Sequence, residues 1–169
     1  MRRGFVAGAA AVVLLTLAGC GFRPLYFERA EMPEVTAELA LIDIRPIAER
    51  VGQEVRNNLL DLVTPLGEPA RARYILTVDL VESRQGLALQ RDATVTRYNL
   101  TVNAEFHLLD AATRAEVNSG SVRSTAAFNV LRADFANVIA ERDAEERAAR
   151  VVAEEIATRL SVFFARTIR

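Results

Sequence analysis

A regular alternation of apolar and polar residues runs through the middle of this 169-residue chain. Between residues 94 and 109 the even-numbered positions from 98 onward are apolar: Tyr98, Leu100, Val102, Ala104, Phe106 and Leu108. A period of two, with one dry and one wet face, is typical of an antiparallel β-strand. Similar patterns predict strands at residues 40–45, 73–83 and 116–129, and the pair Gln85-Gly86 is expected to end the second of these.

Two other segments repeat apolar residues at helical spacing. Residues 48–63 predict a helix that ends before Pro65 and Gly67, and its apolar stripe is Val51, Val55, Leu59 and Leu62. Residues 134–165 predict a longer helix, with the stripe Phe135, Val138, Ile139, Val152, Ile156, Leu160 and Phe163. The order β-α-β-β-β-α then predicts an α+β fold. We expect a two-layer sandwich, in which two helices pack on a mainly antiparallel four-stranded sheet.

The N-terminus has the pattern of a secretory signal. Arg2 and Arg3 precede an apolar run from Phe5 to Ala18, which is too short for the roughly 20 residues that a transmembrane helix needs. The ending Leu-Ala-Gly-Cys20 resembles a bacterial lipoprotein signal, which implies cleavage before Cys20 and a lipid on its thiol. In Gram-negative lipoproteins Asp after the cysteine favours the inner membrane, so Gly21 implies the outer membrane. Secretion without lipid and a retained membrane helix are the alternatives.

These features divide the chain into three parts. Residues 1–19 are the cleaved signal, residues 20–38 a lipidated linker, and residues 39–169 a single domain that faces the periplasm. From Cys20 onward the chain has 19 arginines, no lysine and 22 acidic residues, which is not the balance of a nucleic-acid-binding protein. The one cysteine leaves no disulfide, and the one histidine, His107, argues against a zinc or redox site.

The residues around the cysteine also resemble a known family. Leu17-Ala-Gly-Cys-Gly-Phe-Arg-Pro-Leu-Tyr26 is similar to the start of the LPS-assembly lipoproteins (LptE). A second similar stretch begins at Phe135-Ala136 and continues through Asp143-Ala144 to Arg147. The resemblance implies an outer-membrane lipoprotein without catalytic activity that sits as a plug inside the LPS-assembly β-barrel (LptD). It also implies that the protein helps this barrel to fold and assists lipopolysaccharide transport to the cell surface.

Two groups of residues are candidates for these contacts. Five arginines in or near the predicted sheet are either solvated surface or a phosphate site for lipopolysaccharide, since arginine binds phosphate in a bidentate way: Arg84, Arg91, Arg97, Arg114 and Arg123. Four residues after the cysteine are either a stiff linker that docks on its own domain or a contact with the barrel at the membrane interface: Phe22, Pro24, Leu25 and Tyr26.

The sequence leaves other functional classes open to test. An auxiliary lipoprotein of an ABC-type exporter, or a small-ligand binder, is the main alternative to the barrel-associated factor. An enzyme is disfavoured, since no catalytic motif or cofactor loop is present. His107 falls on the polar side of its strand, has no acid partner at useful spacing, and is predicted to be a surface residue.

Overall fold

The computed structural model describes residues 33–89, 95–130 and 133–168. The signal, Cys20, the four residues Phe22, Pro24, Leu25 and Tyr26, and Arg91 lie outside these ranges. Within them the elements follow in the order α1 (Pro33–Leu39), β1 (Ile42–Ile44), α2 (Glu49–Val63), β2 (Tyr74–Leu89), β3 (Val95–Asp110), β4 (Glu116–Asn129) and α3 (Asp134–Thr167).

The four strands form one sheet in the order β1-β2-β3-β4. Strands β2, β3 and β4 are antiparallel neighbours, whereas β1 pairs with β2 in parallel. The parallel pair requires a crossover connection, which α2 provides. The predicted α+β class and the mainly antiparallel sheet of four strands are confirmed.

The core lies between the sheet and the two long helices. On β3 the predicted inner residues from Leu100 to Leu108 are buried, and Phe106 is 1 % exposed. From α2 the residues Val51, Val55 and Leu59 face them. The buried side of α3 is lined by Ala144, Ala148, Ala149, Ala153 and Ala157 together with Val152, Ile156, Leu160 and Phe164. Small alanine side chains let α3 approach α2 and the sheet closely.

Two local features differ from the sequence prediction. The short helix α1 forms inside the segment predicted as a linker, because Val35 and Leu39 bury their side chains in the core. The pair Gln85-Gly86 does not end β2, which continues to Leu89. The strand absorbs the irregularity as a register shift between Gly86 and Ala88.

The two ends of the sheet are distinct. We call the end where β2 begins and β3 finishes the entry end. The chain arrives there through α1, and Glu38 pairs with Arg73 at 3.0 Å. The opposite end, where β2 finishes and α3 begins, is the far end. Tyr74 begins β2 and Leu87 lies near its other end. The thirteen residues of extended strand from one to the other span about 40 Å.

Candidate functional site at the far end

Of the candidate arginines that the structure describes, Arg84 makes the most ion pairs. It lies on the helix-facing side of β2, opposite Leu100 of β3. Its guanidinium reaches two carboxylates of α3, with 2.5 Å from Nη1 to Glu141 Oε1 and 3.9 Å from Nη2 to Glu145 Oε1. Arg50 of α2 pairs with the other oxygen of Glu145. Arg84 therefore belongs to an ion network that ties β2, α2 and α3 together.

The centre of this network is a buried carboxylate. The side chain of Glu145 is 5 % exposed, whereas those of Arg50 and Arg84 are about half exposed. A buried carboxylate is costly unless cations and hydrogen bonds compensate it. The two guanidinium groups provide that compensation from opposite sides. Arg84 thus pairs with two protein carboxylates, while about half of its side chain remains exposed.

An exposed apolar stripe opens α3 at the far end. Phe135 is 79 % exposed, Val138 46 % and Ile139 49 %. The prediction that these residues belong to the buried stripe of the helix is wrong. The reason is the position of α2, which begins at Glu49, so that Arg50 already lies level with Glu145. The first turns of α3 extend beyond α2, and no other helix of the described ranges covers them.

Other apolar side chains lie at the far end of the sheet. Leu87 of β2 is 51 % exposed, and Tyr98 and Phe128 stack with ring centroids 5.6 Å apart across β3 and β4. A shallow cavity of about 290 Å³ is lined by Ala127, Phe128, Asn129, Ala140, Asp143 and Arg147. Large apolar side chains that remain exposed are typical of an interaction surface when they form a patch.

The other candidate arginines that the structure describes, Arg97, Arg114 and Arg123, do not form one cluster with Arg84. Arg97 and Arg123 lie on the open face of the sheet. The register places Arg97 opposite Asn129, six residues along β4 from Arg123, or about 20 Å. Arg123 Nε donates to Asn103 Oδ1 at 2.7 Å. Arg114 lies in the β3–β4 turn at the entry end with a φ of 62°.

His107 has an acid partner that sequence spacing did not reveal. Its Nδ1 lies 2.6 Å from Glu116 Oε2, and Ser119 Oγ donates to Glu116 Oε1 at 2.8 Å. A register shift between Leu108 and Leu109 brings Glu116 within reach. These contacts lower the pKa of Glu116, mainly through the Ser119 and His107 hydrogen bonds. The serine hydroxyl is held by the acid, so Ser119 and His107 are not arranged as a nucleophile and its base.

Two further features concern membrane-spanning helices and metal ligands. Within residues 33–89, 95–130 and 133–168, no helix is both long enough and apolar enough to cross a membrane. The same part of the chain contains no group of three or more metal-ligating side chains.

Comparison with known proteins places this fold. The family model LptE, described as lipopolysaccharide-assembly, matches residues 36–160. The chain belongs to the LptE family, whose members are lipoproteins of lipopolysaccharide transport and outer-membrane assembly.

Solved structures share this fold, and one curated protein is similar along most of the chain. A protein from Caulobacter crescentus CB15 described as a lipoprotein is 26 % identical with a TM-score of 0.65, covering 78 % of this chain and 96 % of that one. A minor lipoprotein from Acinetobacter baumannii shares the fold at 14 % identity and a TM-score of 0.57, covering 72 % and 90 %. An uncharacterized protein of Rickettsia prowazekii (strain Madrid E) is 21 % identical over 155 residues, covering 92 % of this chain and 95 % of that one.

Proposed function

We propose that this protein is an outer-membrane lipoprotein, anchored through Cys20, that acts as plug and assembly factor of the LptD-type barrel in lipopolysaccharide transport. Its role is to bind and position, without catalysis. The observation that carries this proposal is the exposed apolar stripe Phe135, Val138 and Ile139 at the far end of the domain. Apolar side chains that a domain leaves exposed in this way favour contact with a partner.

The open face of the sheet supports the same proposal. Along β3 its residues are polar, as shown by Asn99, Thr101, Asn103, Glu105 and His107. The interior of an outer-membrane barrel is polar as well. The polar open face of the sheet would match the polar interior of a barrel. The apolar stripe would need an apolar patch on the barrel wall.

The candidate residues enter the proposal with different roles. We assign lipopolysaccharide contact first to Arg97 of β3, which is exposed at the far end, and keep as a candidate Arg91, which lies outside the described residues. Arg123 and Arg114 are secondary candidates, since Arg123 is paired with Asn103 and Arg114 lies at the entry end. The segment containing Phe22, Pro24, Leu25 and Tyr26 is assigned to the barrel or the membrane interface.

Co-purification tests the partner. The full-length chain with a C-terminal tag is expressed in its native cell, and its outer membrane is solubilised in mild detergent. We expect a large β-barrel in stoichiometric amount. The double substitution Phe135→Ser with Ile139→Ser should reduce the yield of that barrel at least severalfold. Val162→Ser is the matched control, because Val162 is 45 % exposed on the same helix but far from the apolar stripe.

The other outcomes of this experiment are informative. A lipoprotein that purifies alone, or with inner-membrane exporter subunits, contradicts the barrel partner and supports the auxiliary-lipoprotein alternative. Equal loss of the barrel with Val162→Ser would show that the apolar stripe has no special role. For the ligand, binding of purified lipopolysaccharide should weaken severalfold with Arg97→Gln. It should remain unchanged with Arg71→Gln, because Arg71 is an exposed arginine just before β2 that is not among the candidates.

A further inference from the structure

Strand β4 is an edge of the sheet. It is 14 residues long and pairs with β3 on one side, and no strand of the described residues pairs with its other side. A long edge strand offers a row of backbone groups to which another chain can add, and proteins protect such edges with charged side chains or covering elements. The question is what protects the outer edge of β4.

Two arginines of α3 reach this edge in the same way. Arg147 donates through Nε to Asp143 Oδ2 at 2.9 Å and through Nη2 to the carbonyl of Ala127 at 3.2 Å. Twelve residues later Arg159 donates through Nε to Glu155 Oε1 at 3.0 Å and through Nη1 to the carbonyl of Ser121 at 2.8 Å. In each case an acid four residues earlier holds the guanidinium while a terminal nitrogen caps a β4 carbonyl.

The spacing of the helix matches that of the strand. Twelve residues of α-helix rise about 18 Å, and six residues of strand span about 20 Å. Helix α3 therefore runs antiparallel beside β4, and the two arginines meet it at both ends of the stretch from Ser121 to Ala127. Backbone groups of alternate residues point to the same side of a strand, so the carbonyls of Arg123 and Thr125 lie on this edge between the two capped ones.

Gly120 lies beside Arg159 on β4. A methyl group at this position would lie 2.9 Å from Phe106 Cε1, which is too close, and 3.5 Å from Arg159 Nη1, which is an ordinary contact. The missing side chain therefore leaves room for the Phe106 ring of the core.

We propose that Arg147 and Arg159 close the outer edge of β4 to strand addition, and that the strand they exclude is β4 of a second copy of this chain. An antiparallel β4–β4 pair related by a twofold axis would satisfy identical edges on both copies. Between the two capped carbonyls Arg123 is the only charged residue, and the others are Val122, Ser124, Thr125 and Ala126. Apart from Arg123, no side chain of this stretch carries the charge that protects an edge strand.

The test compares full-length variants in detergent by sedimentation and light scattering over a range of protein concentrations. The double variant Arg147→Ala with Arg159→Ala should dimerise roughly tenfold or more tightly than the unchanged protein, because two capped acceptors become available. The control is Arg150→Ala with Arg166→Ala. These two arginines are exposed on α3, and neither makes an ion pair or hydrogen bond with β4 in the described part of the chain.

A third substitution identifies the interface. Thr125→Pro is added to the double variant. Proline has no N–H, and the N–H of residue 125 points to the outer edge, so the ladder hydrogen bonds to β3 are kept. This triple variant should be monomeric again. A double variant that stays monomeric with an unchanged far-ultraviolet spectrum overturns the proposal, as does a dimer that Thr125→Pro does not affect. If the double variant unfolds, Arg147→Lys with Arg159→Lys replaces it. The lysines keep the positive charge, but they lack the guanidinium group that donates to an acid and to a β4 carbonyl at the same time. A monomer, or a dimer that Thr125→Pro does not affect, would again overturn the proposal.

Discussion

The two parts of α3 differ in what surrounds them, although both carry apolar residues at helical spacing. From Ala144 to Phe164 the helix packs on α2 and the sheet, and its apolar side is buried. From Asp134 to Glu141 it extends past the start of α2, and its apolar residues face outward. The same periodicity therefore accompanies core packing in one part and an exposed apolar surface in the other.

The difference lies in the composition of the apolar side. In the buried part alanines alternate with larger residues such as Ile156 and Leu160, so that the helix can approach its neighbours closely. The exposed part instead presents the large side chains Phe135, Val138 and Ile139. The ion network centred on Glu145 marks the boundary between the two parts.

The largest expected effect concerns the buried part. Leu160→Ala removes a side chain that is fully buried, and we expect a loss of roughly 2–5 kcal/mol in the free energy of unfolding. Phe135→Ala removes a larger side chain but should change stability by less than about 0.5 kcal/mol. Denaturant unfolding of both variants measures the contrast. Similar losses in the two variants would mean that the first turns of α3 are also part of the core.

A second prediction concerns the boundary. Replacing both Arg50 and Arg84 by Met leaves the Glu145 carboxylate buried without a cation, and stability at neutral pH should fall by about 3 kcal/mol. Adding Glu145→Gln should recover much of that loss, since the neutral amide is less costly to bury. Thermal unfolding of the two variants provides the measurement. No recovery with Gln would show that the arginines stabilise the fold through packing rather than through charge.

The smallest effect is expected at the entry end, where acid pH tests the His107 contact. The pKa of Glu116 is lowered in the fold, so the unfolded chain binds the proton more readily. The contribution of Glu116 to stability is therefore present above its ordinary value of 4.5 and is lost as the pH falls through the folded value. Glu116→Gln should flatten the acid limb of a stability profile between neutral pH and pH 3. An unchanged acid limb would contradict the hydrogen bonds assigned to this carboxylate.

Much of the fold is predictable from the sequence, because alternation and helical spacing reflect burial directly. The inner side of β3, the stripe of α2 and the order of the six main elements follow from these patterns. Helix α1 is not predictable in this way, because it contributes only two buried residues, Val35 and Leu39. Periodicity also gives the wrong result for Phe135, since it reports an apolar face but not whether a neighbour covers that face.

The contacts of the candidate site are harder to predict for a related reason. The pairing of His107 with Glu116 depends on the register between β3 and β4, which a single sequence does not specify. The sequence does predict that Glu155 and Arg159 pair as helix neighbours. It does not show that Arg159 also caps the carbonyl of Ser121, because that contact needs the position of α3 beside the edge strand.

The central claim is that the first turns of α3 contact a partner whereas the rest of the helix serves the domain itself. Photocross-linking in the native cell tests this claim directly. A photoreactive phenylalanine analogue replaces Phe135 in one full-length variant and Val151 in another, since Val151 is 49 % exposed on the same helix. We predict a cross-link to a large outer-membrane β-barrel from position 135 and none from position 151. A cross-link from 151 alone, or no barrel adduct at 135 in cells that contain the barrel, would contradict the account.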